Sequence, residues 1–271
     1  MGRLDLEYPK ESFSTVNRYG NRGRYNLKTI HEIVNTCPVL HVSFNTPDSP
    51  FPATLPMLGK MGSFSRPSAD LGDVLDLYLH GYVSSRMINL ARNSEDGKGI
   101  PMTIAATHVD GMILSLTPNT HSFNYRSAIL FGRATVVTDL PEKLYAMEAV
   151  VNGAVPTRWQ NSRNPPNNAE MQSTSVLRVR ISHGSAKIRT GVPMDNREDM
   201  ADLELQKRVW TGVIPMYQTF GTPIPGPYNQ VEVPGYLAEY IKDTNEENVT
   251  NATTDALKEE VKPKKSDDAD D

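Results

Sequence analysis

Apolar and polar residues alternate with a period of two through much of the first 190 positions, and that period belongs to half-buried strands. "PVLHVSF" sets Leu40, Val42 and Phe44 against His41 and Ser43. "NTPDSP" then reads as a turn and "FPATLPML" as the second arm of a hairpin. The segment from Gly59 to Asp73 reads as a loop, and "VLDLYLHG" as the next strand. "PMTIAATHV" and "MILSLT" form two strands joined at Asp110-Gly111, because Asp-Gly supplies the positive φ of tight turns. "HSFNYRSAILFGRATVV" opens with six residues, five of them polar or hydroxyl-bearing, before its apolar run begins. In "TSVLRVRISHGSAKIRTG", Val176, Arg178, Arg180 and Ser182 oppose Leu177, Val179 and Ile181.

Helical spacing is rarer. Asn26 caps a short helix with Leu27, Ile30, Ile33 and Val34 on one face, ending near Thr36 before Pro38. Asp139, Pro141 and Glu142 open a second over "LYAMEAVV", and "MADLELQKRVW" holds a third, short one. Strands joined mostly by short turns, without regular β-α alternation, predict a mainly β fold, an antiparallel barrel or sandwich with flanking helices.

Charge adds a boundary. The 271 residues carry a net charge of -4, but Lys242 to Asp271 hold ten acidic residues and five lysines, leaving about +1 for the rest. That tail has almost no apolar residues, so 242–271 is expected to be disordered. "RYGNRGRY" carries Arg18, Arg22 and Arg24, yet no broad basic face accompanies it, so a solvated N-terminal arm is expected and no nucleic-acid partner. No stretch approaches the roughly 20 apolar residues of a membrane span, and the first residues lack the apolar segment of a signal peptide. The expectation is a cytoplasmic protein without a membrane partner. Cys37 stands alone and no metal-ligand spacing is present, so no metal is expected.

Two segments can hold an anion. In "LYLHGYVSSRMINLARN" a strand ends at His80-Gly81, and Ser84-Ser85-Arg86 opens a helix. Read alone, Ser84 can equally be an N-cap and Arg86 a surface side chain. In "SFNYRSAILFG", Asn124, Arg126 and Ser127 can equally form a polar hairpin turn with Tyr125 on its rim.

Taken together with "TRW" and "TSVLRVRISHGSAKIRTG", these segments resemble the flavin-nucleotide-binding branch of the pyridoxamine 5'-phosphate oxidase-like family, near its nitroimidazole-reductase-like members. The resemblance runs from Arg22 to Pro193. It implies an antiparallel Greek-key FMN-binding split barrel that forms a homodimer with FMN in the subunit interface. On that footing residues 1–24 are an arm, 25–193 the barrel, 194–241 an extension packing on the barrel or its dimer partner, and 242–271 the tail. The resemblance assigns Ser84, Ser85, Arg86, Arg126 and Ser127 to the FMN phosphate, with His80 and Gly81 beside them. Thr54, Leu55 and Pro56 run under the flavin ring, and Asn124 and Tyr125 lie near the ring or ribityl chain. Trp159 either reaches the partner's flavin or packs in a core or interface, and Lys187 is a weaker ligand contact.

The family likeness departs at the C-terminus, where the Arg and His residues that serve vitamin B6 oxidation have no counterpart. The expected function is an FMN-dependent oxidoreductase that passes electrons from NAD(P)H to a small organic acceptor. No side-chain acid or base is required, so no catalytic residue is assigned. No dinucleotide-binding glycine fingerprint is present, which makes the nicotinamide a transient donor. Two alternatives stand beside it: a flavin-sequestering module without turnover, and a haem-binding or haem-degrading protein using His80, His121 or His183 as axial ligand.

Overall fold

The computed structural model describes residues 5–94 and 97–259. In chain order its elements are a 3-10 turn at Gly20–Arg22, β1 (Gly23–Arg24), α1 (Leu27–Thr36), β2 (Leu40–Phe44), β3 (Ala53–Met57), β4 (Gly59–Gly62), β5 (Asp76–Tyr82) and α2 (Arg86–Arg92). There follow β6 (Ile100–Leu114), a 3-10 turn at Pro118–Thr120, β7 (Ser122–Val136), α3 (Leu140–Ala154), α4 (Asn168–Ser173) and β8 (Thr174–Arg189). The last are α5 (Arg197–Ala201), α6 (Leu203–Arg208), β9 (Gly212–Pro215) and α7 (Gly235–Leu257). The sheet order is β3-β2-β6-β7-β8-β5-β4, with β1 on β8 and β9 on β6, and the strand pairs with an assigned register are antiparallel. No described helix is long and apolar enough to cross a membrane.

The described residues divide into two compact units. Among the described residues, unit 1 draws on 5–17, 23–94, 97–107 and 127–186, and unit 2 on 18–22, 108–126 and 187–259. The break therefore falls within β6, β7 and β8.

Unit 1 holds the main apolar core. Ile30 and Val34 of α1, Leu40 and Val42 of β2, Leu77 and Leu79 of β5, Ile104 of β6, Leu130 of β7 and Leu177 of β8 are all fully enclosed. Asn26 caps α1 by accepting the Thr29 N–H at 2.9 Å, and Asp139 caps α3 by accepting that of Glu142 at 3.0 Å. The Glu142 side chain does not complete a capping box. It accepts from the Tyr78 hydroxyl and from Arg178 Nη1, each at 2.9 Å.

The structure corrects four expectations. Gly59–Gly62 is a strand, not loop: β4 pairs with β5 because Gly59, lacking a Cβ, lets Leu79 and Leu40 close over it. Asp110-Gly111 is not a turn but lies inside the single strand β6. There Gly111 opposes Pro215 of β9, and a Cβ on it would meet Val213 Cγ1 at 2.9 Å. The tail is helical as far as Leu257, with Ala252, Asp255 and Ala256 buried and the Gly191 N–H donating to the Asp255 carbonyl at 2.8 Å. Residues 260–271 of that expected tail lie outside the described residues. The N-terminal arm is not simply solvated: Tyr8 N–H donates to the Tyr25 carbonyl and Leu27 N–H to that of Leu6, each at 2.9 Å.

That arm carries a pH response. His31 Nδ1 lies 2.8 Å from the Leu71 carbonyl, which can only accept, so Nδ1 holds the proton and Nε2 accepts from the Tyr8 hydroxyl at 2.7 Å. Burial lowers the His31 pKa from 6.5 to about 4, against the opposing Leu71 bond. Between these values the unfolded imidazole is protonated and the folded one is not. The stability contribution is thus complete above pH 6.5 and declines as pH falls to about 4, by about 3 kcal/mol in all. Urea unfolding across that window is expected to show a steeper decline for wild type than for His31→Gln; parallel profiles would contradict this assignment.

Candidate functional site

In unit 1, His80 and Gly81 lie among the last residues of β5, which ends at Tyr82, and the chain then passes through Ser84 and Ser85 into α2. Ser85 occupies the N-cap position with extended backbone, yet its hydroxyl caps no N–H. Instead Ser85 Oγ is buried with no hydrogen-bond partner, and so is Nδ1 of His80. A Cβ on Gly81 would stand 3.9 Å from Ser85 Oγ, so the two segments face each other closely. Buried polar atoms are almost always paired, and each such exception marks a place where a ligand can supply what the protein does not. Burial lowers the His80 pKa, keeping the ring neutral near pH 7.

The β2–β3 connection reaches the same place. Asp48 pairs with Arg86, the first residue of α2. Along β3, Thr54, Leu55 and Pro56 are all exposed, and Thr54 Oγ1 meets Ser43 Oγ at 2.9 Å. Phe51 and Leu55 leave apolar surface open on this hairpin. Unit 1 thus joins a cation, two hydroxyl-bearing residues and unmet polar atoms to a hairpin with exposed apolar side chains.

In unit 2 the polar opening of β7 has a different use. Asn124 is fully buried, donating from Nδ2 to the Gly191 carbonyl at 3.1 Å and accepting from Arg189 Nη1 at 2.8 Å. Arg126 forms a two-pronged pair with Asp110, Nε to Oδ2 at 2.9 Å and Nη2 to Oδ1 at 2.8 Å. The hydrogen bonds of Asp110 hold Arg126 firmly charged, opposed by burial and reinforced by the fields of Asp255 and Glu247. Tyr125 is half-buried, and so is Ser127, which belongs to unit 1.

The two arginines proposed for phosphate binding are therefore not equivalent. The Arg86 and Asp48 side chains are 52% and 74% exposed, and an ion pair in open solvent contributes little, so an incoming anion can take Arg86 at little cost. The Arg126 and Asp110 side chains are only 27% and 7% exposed, and parting them strands a buried carboxylate. Of the remaining candidates, Trp159 lies in the turn after α3 in unit 1, its backbone N–H donating to Asn152 Oδ1 at 2.8 Å. Lys187 lies in unit 2 with its ammonium 5.9 Å from the centre of the Tyr19 ring. Sequence reading missed Asp48, Asp110 and Arg189, the partners that decide which candidates are available. Asp48 and Asp110 both sat in segments read as turns, and nothing local signals the residues they meet.

No curated protein matches the chain by sequence. Among solved structures it resembles the flavocytochrome Anf3 from Azotobacter vinelandii, at 26% identity over 85% of this chain and 97% of that one, with a TM-score of 0.68. A FAD and haem binding protein from Mycobacterium smegmatis shares the fold at 24% identity, over 81% of this chain and 97% of that one, with a TM-score of 0.66. The family model described as pyridoxamine 5'-phosphate oxidase matches residues 26–188. That span is more than half of the sequence and takes in β2 to β7 and most of β8, so the fold is the split barrel and the chain belongs to the pyridoxamine 5'-phosphate oxidase family.

Proposed function

We propose that this protein is a flavin-dependent oxidoreductase, in which bound FMN supplies hydride and electron transfer between a reduced nicotinamide and a small organic acceptor. The observation that carries the reading is Ser85 Oγ, buried and unmet, on the residue that precedes an arginine whose ion pair opens cheaply. The 26% identity to a flavocytochrome over nearly its full length supports it. In this reading Arg86 and the Ser84 and Ser85 hydroxyls hold the phosphate. A guanidinium fork matches its oxygens, and charged hydrogen bonds are the strong ones. Gly81 keeps the backbone open for close approach, neutral His80 offers a polar ring edge, and Leu55 and Phe51 cover apolar ring surface. These residues bind, orient and exclude water; none is assigned a proton to transfer. The purified protein is expected to show flavin absorption that NADH or NADPH bleaches without air. Bands that neither donor bleaches would favour a sequestering module.

One observation favours a second reading, in which haem accompanies the flavin: the full-length neighbour just described is a flavocytochrome. His80, whose Nδ1 is unmet, would then be the residue that holds the haem iron. His121 Nδ1 already accepts from the Ser115 N–H at 3.0 Å, and His183 Nδ1 is 2.9 Å from Ser182 Oγ. An intense Soret band that His80→Ala abolishes is the result expected of this reading.

We further propose a homodimer. Between β9 and α7 the chain runs extended, tied to α7 where Phe220 N–H donates to Asn245 Oδ1 at 2.7 Å and its carbonyl accepts from Nδ2 at 3.0 Å. Beyond that tether Ile224 and Tyr228 are 90% and 94% exposed, with Val231 and Val233 also in the open. Apolar side chains held out in series are the surface a second copy covers. Light scattering is expected to report twice the 30.1 kDa chain mass, and Ile224→Asp with Tyr228→Asp to halve it. A wild-type monomer would overturn the dimer.

A further inference from the structure

Unit 2 contains a cavity of about 500 Å³ lined by Leu116, Asp195, Met200, Gln206, Val209 and Thr211. Leu116 follows β6, Asp195 precedes α5, Met200 and Gln206 belong to α5 and α6, and Val209 and Thr211 to the link from α6 to β9. One carboxylate oxygen joins the first two of these segments: Asp195 Oδ1 accepts from the Leu116 N–H at 2.8 Å and from the Thr120 hydroxyl at 3.5 Å. The helices are fixed in turn. Asp202 caps α6 by accepting from the Glu204 and Leu205 N–H groups, and Gln206 Nε2 donates to the Met200 carbonyl, which ties α6 to α5. Leu116, Asp195 and Val209 are half-buried, whereas Met200, Gln206 and Thr211 are exposed, so the cavity opens to solvent on their side. Five of the six residues lie beyond position 188, where the family match ends. The extension, and not the segment shared with the family, builds most of this cavity.

The hydrogen bonds that shape the lining leave acceptors over. Among the described residues, Asp195 Oδ2 and Gln206 Oε1 receive no hydrogen bond from the protein. Asp195 is the one charged residue of the six, with no Lys or Arg beside it in the lining. Residues 195–208 carry five acids against three bases, so the surrounding field is negative as well. Leu116, Met200 and Val209 supply the apolar part of the wall. We propose that this cavity binds an organic cation, a protonated amine carried on an apolar body. The ammonium brings N–H donors to Asp195 Oδ2 and Gln206 Oε1, and a hydrogen bond between charged groups is among the strong ones. The body leaves water against Leu116, Met200 and Val209. An anion meets the Asp195 carboxylate and is repelled, and a neutral molecule of the same shape forgoes the charged bond. The volume lies within the roughly 300–1,000 Å³ of small-molecule sites. The cavity shares no residue with the flavin-phosphate site, and its assignment does not rest on the oxidoreductase reading.

Calorimetric titration of the full-length protein with phenethylamine, 2-phenylethanol and 3-phenylpropionate tests this, because the three probes share an aromatic body and differ in the charge of the head group. Wild type is expected to bind phenethylamine saturably, and about tenfold or more tightly than the alcohol or the acid. Asp195→Asn keeps an oxygen for the Leu116 N–H but loses the charge, and its phenethylamine affinity is expected to fall by about tenfold, to that of the alcohol. Thr211→Trp fills the cavity from an exposed position and is expected to abolish binding of the amine. Equal affinity for the three probes, or a preference for the acid, overturns the cation as occupant. Phenethylamine that does not bind wild type, or that binds either variant as tightly as wild type, overturns the site. Should Asp195→Asn lose its melting transition, Thr211→Trp and the order of the three probes on wild type decide by the same outcomes.

Discussion

Arg126→Ala is expected to destabilise the protein by about 3–5 kcal/mol while leaving FMN affinity within a factor of about two of wild type. The sequence pointed the other way, since Arg126 stands in the "NYRS" motif that the family resemblance assigns to the flavin phosphate. Its two hydrogen bonds to Asp110 and the burial of that carboxylate change the expectation. Removing the guanidinium leaves a buried negative charge with its strongest donors gone, and the cost of that stranded charge exceeds the net worth of the pair. The double variant Asp110→Ala, Arg126→Ala should therefore recover part of the loss, as removal of both partners leaves no orphan. Urea midpoints for the two singles and the double close the cycle. A stable Arg126→Ala that loses FMN but keeps riboflavin would return this residue to the phosphate.

Gly99→Ala carries an expected loss of similar size, about 4 kcal/mol, from backbone strain and overpacking together. Gly99 holds a φ of +77°, and an added Cβ would stand 2.1 Å from the Ala134 carbonyl oxygen and 2.8 Å from Thr135 Cγ2. The obstacle is the backbone of β7, which cannot swing aside as a side-chain tip would. The Gly99 carbonyl is also held at 2.7 Å by Arg133 Nη2, so the segment has little freedom to retreat. Thermal or urea unfolding of Gly99→Ala checks this, and a midpoint equal to wild type would show that the backbone there yields more easily than its contacts imply.

The legible parts of the sequence were those ruled by short-range periodicity. Alternation in "PVLHVSF" and "VLDLYLHG" became β2 and β5, and the spacing of Leu27, Ile30, Ile33 and Val34 with the Asn26 cap became α1, because burial of one face and one cap settles each locally. What failed depended on distant partners. Asp110-Gly111 has the chemistry of a tight turn, but β9, a hundred residues on, lies against Gly111, and Arg126 claims Asp110. The region after Lys242 has the composition of a solvated tail, yet its helix is anchored by Asn245 and Asn248, which bond the Phe220 and Gln218 backbone. Of the anion-binding segments, both were visible as donors. Only the structure separates Arg86, whose acid is exposed, from Arg126, whose acid is not.

The claim that the flavin phosphate rests on Ser84, Ser85 and Arg86 is tested most directly by flavin fluorescence titration of wild type and Arg86→Gln with FMN and with riboflavin. Arg86 is exposed at the head of α2, so its replacement should leave the melting transition in place. The account predicts that FMN affinity falls by about tenfold to a hundredfold while riboflavin affinity is unchanged. Equal FMN affinity in the two proteins, or no flavin binding by wild type, would contradict it.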